Sequence, residues 1–226
     1  MNKLLRVTPV FLVVMLLTVV VGTSAFAANT PNVTQVINGG ALSTDIRDAS
    51  RVSVVSPSFA LSTTSFSFDC QTSTGALGSN AQRIYVDNPG AANAGWTLTI
   101  AATGTATDTW KNSGSSQRFD FNDPTTAGCT DGADAGDSVG GQMTINSSAG
   151  TLTTDCASCT ATAITKGSSA AFSQGVTDSI TLLTAASGSD DGGRWYLTGA
   201  AVSQTIPAEQ PVDSYSINLT ITATAS

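Results

Sequence analysis

From Tyr215 to Ala223 the chain reads Tyr-Ser-Ile-Asn-Leu-Thr-Ile-Thr-Ala, nine residues of unbroken apolar–polar alternation. A period of two sends successive side chains to opposite faces of an extended chain. The run therefore predicts a half-buried antiparallel strand with its Tyr, Ile, Leu, Ile and Ala face inward. A helix cannot use this pattern, because its buried stripe recurs every three or four residues. Shorter stretches repeat it: Phe66-Ser-Phe68, Trp96-Thr-Leu-Thr-Ile100, Phe119-Asp-Phe121, Met143-Thr-Ile145 and Ile180-Thr-Leu182. Further strands are expected at Arg51–Val55, Gln82–Val86, Gly193–Leu197 and Ala201–Ile206. Turn formers such as Asn88-Pro-Gly and Ser113-Gly-Ser lie between them. No repeat period is visible, so solenoids and propellers are disfavoured. The expectation is all-β: one antiparallel β-sandwich of roughly ten or more strands.

Composition points the same way and narrows the chemistry. Ser, Thr, Ala and Gly fill about half of the chain, while the Glu, Lys, Gln and Arg that clothe helices are scarce. The 226 residues include no His, and the 16 acidic residues are 15 Asp and a single Glu, Glu209. Without His the usual proton shuttle and the commonest metal ligand are missing, which argues against triad hydrolases and His-ligated zinc enzymes. Paired Asp residues could serve a glycoside hydrolase, but these fall in turns, so a non-catalytic protein is expected.

Lys3 and Arg6 precede an apolar run from Val10 to Val21, followed by small residues ending in Ala25-Phe26-Ala27. This is the layout of a secretory signal peptide, residues 1–27, cleaved after Ala27; the apolar run is short for a membrane span. Residues 28–226 would then form the single mature domain. Losing Lys3 and Arg6 takes the net charge of −7 to −9. An acidic chain without a basic cluster is a poor binder of nucleic acid and of anionic lipid. An extracellular location, at the cell surface or in the cell wall, is the expectation.

The four cysteines, Cys70, Cys129, Cys156 and Cys159, suit structural disulfides in such a compartment. Four allow three pairings, and the sequence does not choose among them. The preferred arrangement joins Cys156 to Cys159 at a hairpin tip between Thr151–Thr154 and Thr160–Ile164. Cys70 would then join Cys129 and tie a long loop to the core.

Two segments resemble the WxL domain, a cell-surface module of Gram-positive bacteria. Gly95-Trp96-Thr97-Leu98-Thr99-Ile100 is similar to the first Trp-x-Leu motif, with Asp87-Asn88-Pro89-Gly90 in the place of the polar turn ahead of it. Ile206-Pro-Ala-Glu-Gln-Pro-Val-Asp-Ser-Tyr215 resembles the turn into the last strand. There the positions of the second motif hold Ile221 and Ala223 instead of Trp and Leu. The resemblance spans about residues 50–226 and implies an all-β domain attached non-covalently to the wall, peptidoglycan included. On that reading Trp96 and Leu98 are the wall-binding candidates, an exposed indole stacking on sugar faces. The alternation of Trp96 with Leu98 and Ile100 offers the other reading, a core position.

From Phe119 to Thr165 there is no Lys or Arg, and Asp120, Asn122, Asp123, Asp131, Asp134 and Asp137 gather in a Gly-rich stretch around Cys129. Five carboxylates within 18 residues repel one another. A hard cation such as Ca²⁺ relieves that repulsion by taking carboxylate, amide and backbone oxygens, although the spacing is not that of an EF-hand. A solvated acidic turn is the alternative. Two functions remain in view. One is a wall- or surface-protein-associated binding protein carrying a structural Ca²⁺; the other is a self-associating subunit of a surface layer or fibre, pairing through sheet edges.

Overall fold

The computed structural model describes residues 34–90, 94–123, 129, 139–187 and 192–226. Contacts divide the chain after Ile37, and the fold below is that of the unit Asn38–Ser226. It is all-β and antiparallel, as the alternation implies. Fifteen strands and a single 3-10 turn are present among the described residues. In chain order they are β1 (Ser43–Arg47), β2 (Gln71–Leu77), β3 (Arg83–Asn88), β4 (Trp96–Ala102) and β5 (Trp110–Asn112). Then come β6 (Arg118–Phe119), β7 (Met143–Asn146), β8 (Thr151–Thr154), β9 (Ile164–Lys166) and β10 (Ser169–Ala171). Last are β11 (Ser179–Ala185), β12 (Gly193–Thr198), β13 (Ala200–Ile206), β14 (Tyr215–Ser216) and β15 (Leu219–Ala225). They form four sheets ordered β1-β3-β12-β8, β10-β7-β13-β2, β15-β4-β11-β9 and β14-β5-β6.

The first two sheets are joined at a corner. β2 pairs with β13 and β3 with β12, so one long ribbon passes from sheet to sheet. Gly78 (φ +80°) and Gly199 (φ +71°) sit at the bend, linked by Gly199 N–H donating to the Gly78 carbonyl at 2.9 Å. Only glycine takes this left-handed conformation cheaply, and a Cβ at Gly78 would meet the Leu197 carbonyl at 2.9 Å. The third sheet closes over the apolar faces of the others. Its Trp96 meets Trp195 of β12 with ring centroids 5.7 Å apart, inside a core that also holds Ile84, Leu98, Ile100, Ile145, Ile180 and Val202.

Within β11 the register slips between Thr181 and Leu183, and the bulge turns both Leu182 and Leu183 into the core. On the outer face of the first sheet Asp87 bridges Arg47 (2.7 Å) and Arg194 (2.6 Å), and Arg47 lies over the buried Tyr85 ring. The two disulfides are Cys70–Cys129 and Cys156–Cys159, with Cα separations of 5.8 and 5.4 Å. They place the chain in an oxidising environment outside the cytoplasm. Among the described residues no helix is long and apolar enough to cross a membrane.

Several local expectations are corrected. Arg51–Val55 holds only an isolated bridge from Ser53 to Arg47, and the strand lies earlier, at β1. Phe66-Ser-Phe68 is not a strand: its rings meet edge to face at 5.2 Å on the surface, Phe68 being 76% exposed. Cys156–Cys159 does not close a hairpin. β8 pairs with β12 in the first sheet and β9 with β11 in the third, so the disulfide spans a passage between sheets. The nine-residue run from Tyr215 is split. Tyr215–Ser216 pairs with β5 and Leu219–Ala225 with β4, and the inward residues of both parts are only half-buried.

Candidate functional site

Trp96 and Leu98, the wall-binding candidates, are both 0% exposed. Their strand lies between β15 and β11, so the alternation that shows Thr97 and Thr99 to the outside commits Trp96, Leu98 and Ile100 to the core. Neither can stack on a sugar; the core reading of Trp96 holds and the exposed one is withdrawn.

The acidic stretch divides. Asp131, Asp134 and Asp137 lie outside the described residues. Asp120, Asn122 and Asp123 are described and fully buried, contrary to the outward position alternation gave Asp120. Asp120 Oδ1 accepts the Phe121 N–H at 2.6 Å, and Asn122 Nδ2 donates to the Ala106 carbonyl at 2.8 Å. The buried Oδ1 of Asn122 has no hydrogen-bond partner among the described residues. No group of three His, Cys, Asp or Glu side chains close enough to hold a metal occurs among those residues.

Among the described residues a concave feature lies elsewhere, over the small sheet β14-β5-β6. Each of its strands contributes one aromatic ring. Trp110 and Phe119 are paired across β5 and β6 and stack nearly parallel (10°) with centroids 5.6 Å apart. Phe119 also meets Tyr215 of β14 edge-on at 5.1 Å. Trp110 is held by its indole N–H, which donates to Gln204 Oε1 at 2.9 Å. Gln204 is fully buried on β13, and its Nε2 donates to the carbonyls of Asp120 and Thr205, both at 2.8 Å. Tyr215 is anchored as firmly: its hydroxyl donates to the Pro211 carbonyl (2.7 Å) and accepts from Gln210 Nε2 (2.9 Å).

Two largely irregular segments, Phe59–Ser67 and Ile206–Tyr215, wall a hollow of about 610 Å³ around these rings. Glu209 N–H donates to the Ser67 carbonyl at 2.8 Å and joins the walls at one end. Phe66 stands at the rim, half exposed. The polar lining consists of hydroxyls and the amides of Gln71, Gln204 and Gln210, and it contains no Lys or Arg. Its one carboxylate, Asp213, accepts from Asn112 Nδ2 at 2.8 Å, and that bond holds its pKa below the ordinary value. Trp110 and Tyr215 also border a second hollow of about 520 Å³, lined by Ile46, Ile84, Ile100, Leu219 and Ile221. A volume of this order admits a ligand of one or two sugar units. The ring faces supply apolar contact and the amides supply directional hydrogen bonds.

Sequence reasoning missed Trp110, Phe59 and Gln204. Trp110 stands in Asp108-Thr-Trp-Lys111, outside any alternating run, and its partners come from distant segments. The chain matches no known protein family, no curated protein and no solved structure.

Proposed function

We propose that this chain is an exported, non-catalytic cell-surface protein that associates non-covalently with uncharged glycan strands of the cell wall, those of peptidoglycan included, through the hollow at Trp110. The observation that carries the reading is the three-ring cluster of Trp110, Phe119 and Tyr215, walled by amides and hydroxyls without a basic group. Such a lining suits uncharged sugar faces and disfavours anionic polymers, which would meet Asp213. The resemblance to the WxL domain supports location at the wall, while the ligand contact passes from the buried Trp96 to Trp110. A Ca²⁺ ion held by the acidic stretch from Asp120 to Asp137 would be structural, supported by the burial of Asp120, Asn122 and Asp123 at its start.

The test is co-sedimentation with purified peptidoglycan. Phe66→Ala and Trp110→Ala should each lower affinity about tenfold, a loss of about 1.4 kcal/mol. Trp96→Phe should leave it unchanged. Full retention by Trp110→Ala with an unaltered melting temperature refutes the assignment.

A further inference from the structure

Sheet edges expose unpaired N–H and C=O groups, and proteins blunt them with charge, brevity or cover. Almost every edge here is blunted. β1 carries Asp45 and Arg47, and its end is covered where Val54 N–H donates to the Ile46 carbonyl at 2.9 Å. β2 is covered by the Leu61–Gly75 bridge and by Ser62 N–H on the Thr74 carbonyl at 2.7 Å. β8 has four residues and is followed by the Arg51–Asp155 ion pair; β9 and β10 have three each, β6 and β14 two.

β15 is the exception. It is a seven-residue edge, Leu-Thr-Ile-Thr-Ala-Thr-Ala, with no charge, proline or glycine; β1 packs beside it, yet among the described residues no strand hydrogen-bonds to its outer side. Its ladder to β4 is bracketed by Thr103 N–H on the Asn218 carbonyl (2.9 Å) and Ser226 N–H on the Gly95 carbonyl (3.1 Å). Even-numbered residues therefore bond to β4, and Leu219, Ile221, Ala223 and Ala225 direct their N–H and C=O outward. The side chains of Leu219, Ile221 and Ala223 are only half-buried, and the first two line the open 520 Å³ hollow.

We infer that β15 is the docking edge for β15 of a second copy of this chain, the two pairing antiparallel about a twofold axis through Thr222. This register sets Leu219 against Ala225 and Ile221 against Ala223, forms about eight new hydrogen bonds and continues the third sheet across both copies. It also lays each copy's half-buried inner residues beside the other's. A second copy fits because the strand is self-complementary and uncharged. Two exported chains, each of net charge −9 once Lys3 and Arg6 are lost, meet there without opposing carboxylates. The contact is smaller than a standard interface, so a dissociation constant of ~10–100 µM is expected.

Sedimentation equilibrium of the exported chain from ~5 to ~300 µM tests this range. The expected result is a monomer–dimer equilibrium that tightens as salt screens the net charge. Thr222→Lys sets two ammonium groups face to face at the axis, and Ala223→Pro removes one outward N–H without touching the β4 ladder. Each should weaken dimerisation at least about tenfold, or ~1.4 kcal/mol, in a protein that still melts cooperatively. A monomer throughout the range overturns the inference, as does a dimer indifferent to both variants. An open polymer also overturns it, because a twofold pair closes on itself.

Discussion

Trp96 and Trp195 face each other in the core, both fully buried, yet their indole N–H groups have different fates. Trp195 Nε1 donates to the Thr160 carbonyl at 2.8 Å, whereas Trp96 Nε1 has no acceptor among the described residues. Changing each to Phe in turn removes a similar amount of ring from the same contact, a loss of about 1–2 kcal/mol in a close-packed core. At position 96 the substitution also removes a buried donor without a partner, returning about 1–3 kcal/mol. At position 195 it breaks a hydrogen bond worth about 1 kcal/mol and leaves the Thr160 carbonyl without that donor. Trp195→Phe should therefore be the less stable variant by at least about 2 kcal/mol, or about 4–8 °C in Tm for a domain of this size. Thermal unfolding followed by fluorescence reads the difference, since each variant keeps two tryptophans. Equal melting temperatures, or a lower one for Trp96→Phe, would refute the reasoning and imply that the Trp96 indole is satisfied.

Stability should be flat between about pH 6 and 8, because the chain has no His. It should fall below about pH 4. Arg51 holds the Asp155 carboxyl below its ordinary 3.8. At Asp45 burial pushes upward but is outweighed by hydrogen bonds from Ser53 and Arg47, and at Asp108 by one from Lys111. Depressed values of this kind stabilise the fold above the unfolded pKa and cease to as pH drops through the folded one. A melting temperature that rises on acidification to pH 3 contradicts this assignment. The loops closed by the two disulfides differ, with sequence separations of 59 and 3, so losing Cys70–Cys129 should cost about 4 kcal/mol and losing Cys156–Cys159 about 2. Paired Cys→Ser variants in urea measure both, and the reverse order rejects the loop-entropy account. Millimolar Ca²⁺ should raise the melting temperature and EGTA should reverse it, with Asp120→Asn insensitive to both, since extracellular sites bind at ~10⁻⁴–10⁻³ M. No response to either reagent removes Ca²⁺ from the description.

The fold was legible wherever one face of a strand meets the core and the other meets water. β4, β7, β12 and β13 satisfy that condition, and their alternation located them. The signal failed where burial is two-sided or absent. β1 has a single aliphatic residue, Ile46, because its other side chains engage ion pairs and Tyr85. Phe66 and Phe68 alternate with Ser67 but sit on an irregular segment whose task is to wall the hollow. Asp120 lies between two buried rings and is itself buried, which a period of two cannot express. The disulfide pairing could be guessed from spacing, but not the path between sheets that Cys156–Cys159 bridges. The hollow was illegible for a different reason: Phe59, Trp110, Gln204 and Tyr215 are brought together only by strand order, and no short stretch contains two of them.

The break at Ile217-Asn218 has a thermodynamic consequence. One continuous peptide begins as the wall of the aromatic hollow at Tyr215 and ends as the free edge at Ala225, with only two residues between its two ladders. Occupancy of the hollow and pairing of the edge, both as proposed above, would therefore act on the same short lever. Linkage makes any such coupling reciprocal: a sugar that tightens dimerisation by some factor is itself bound tighter by the dimer by that same factor. A wall surface crowded with ligand would then be where copies of this chain meet.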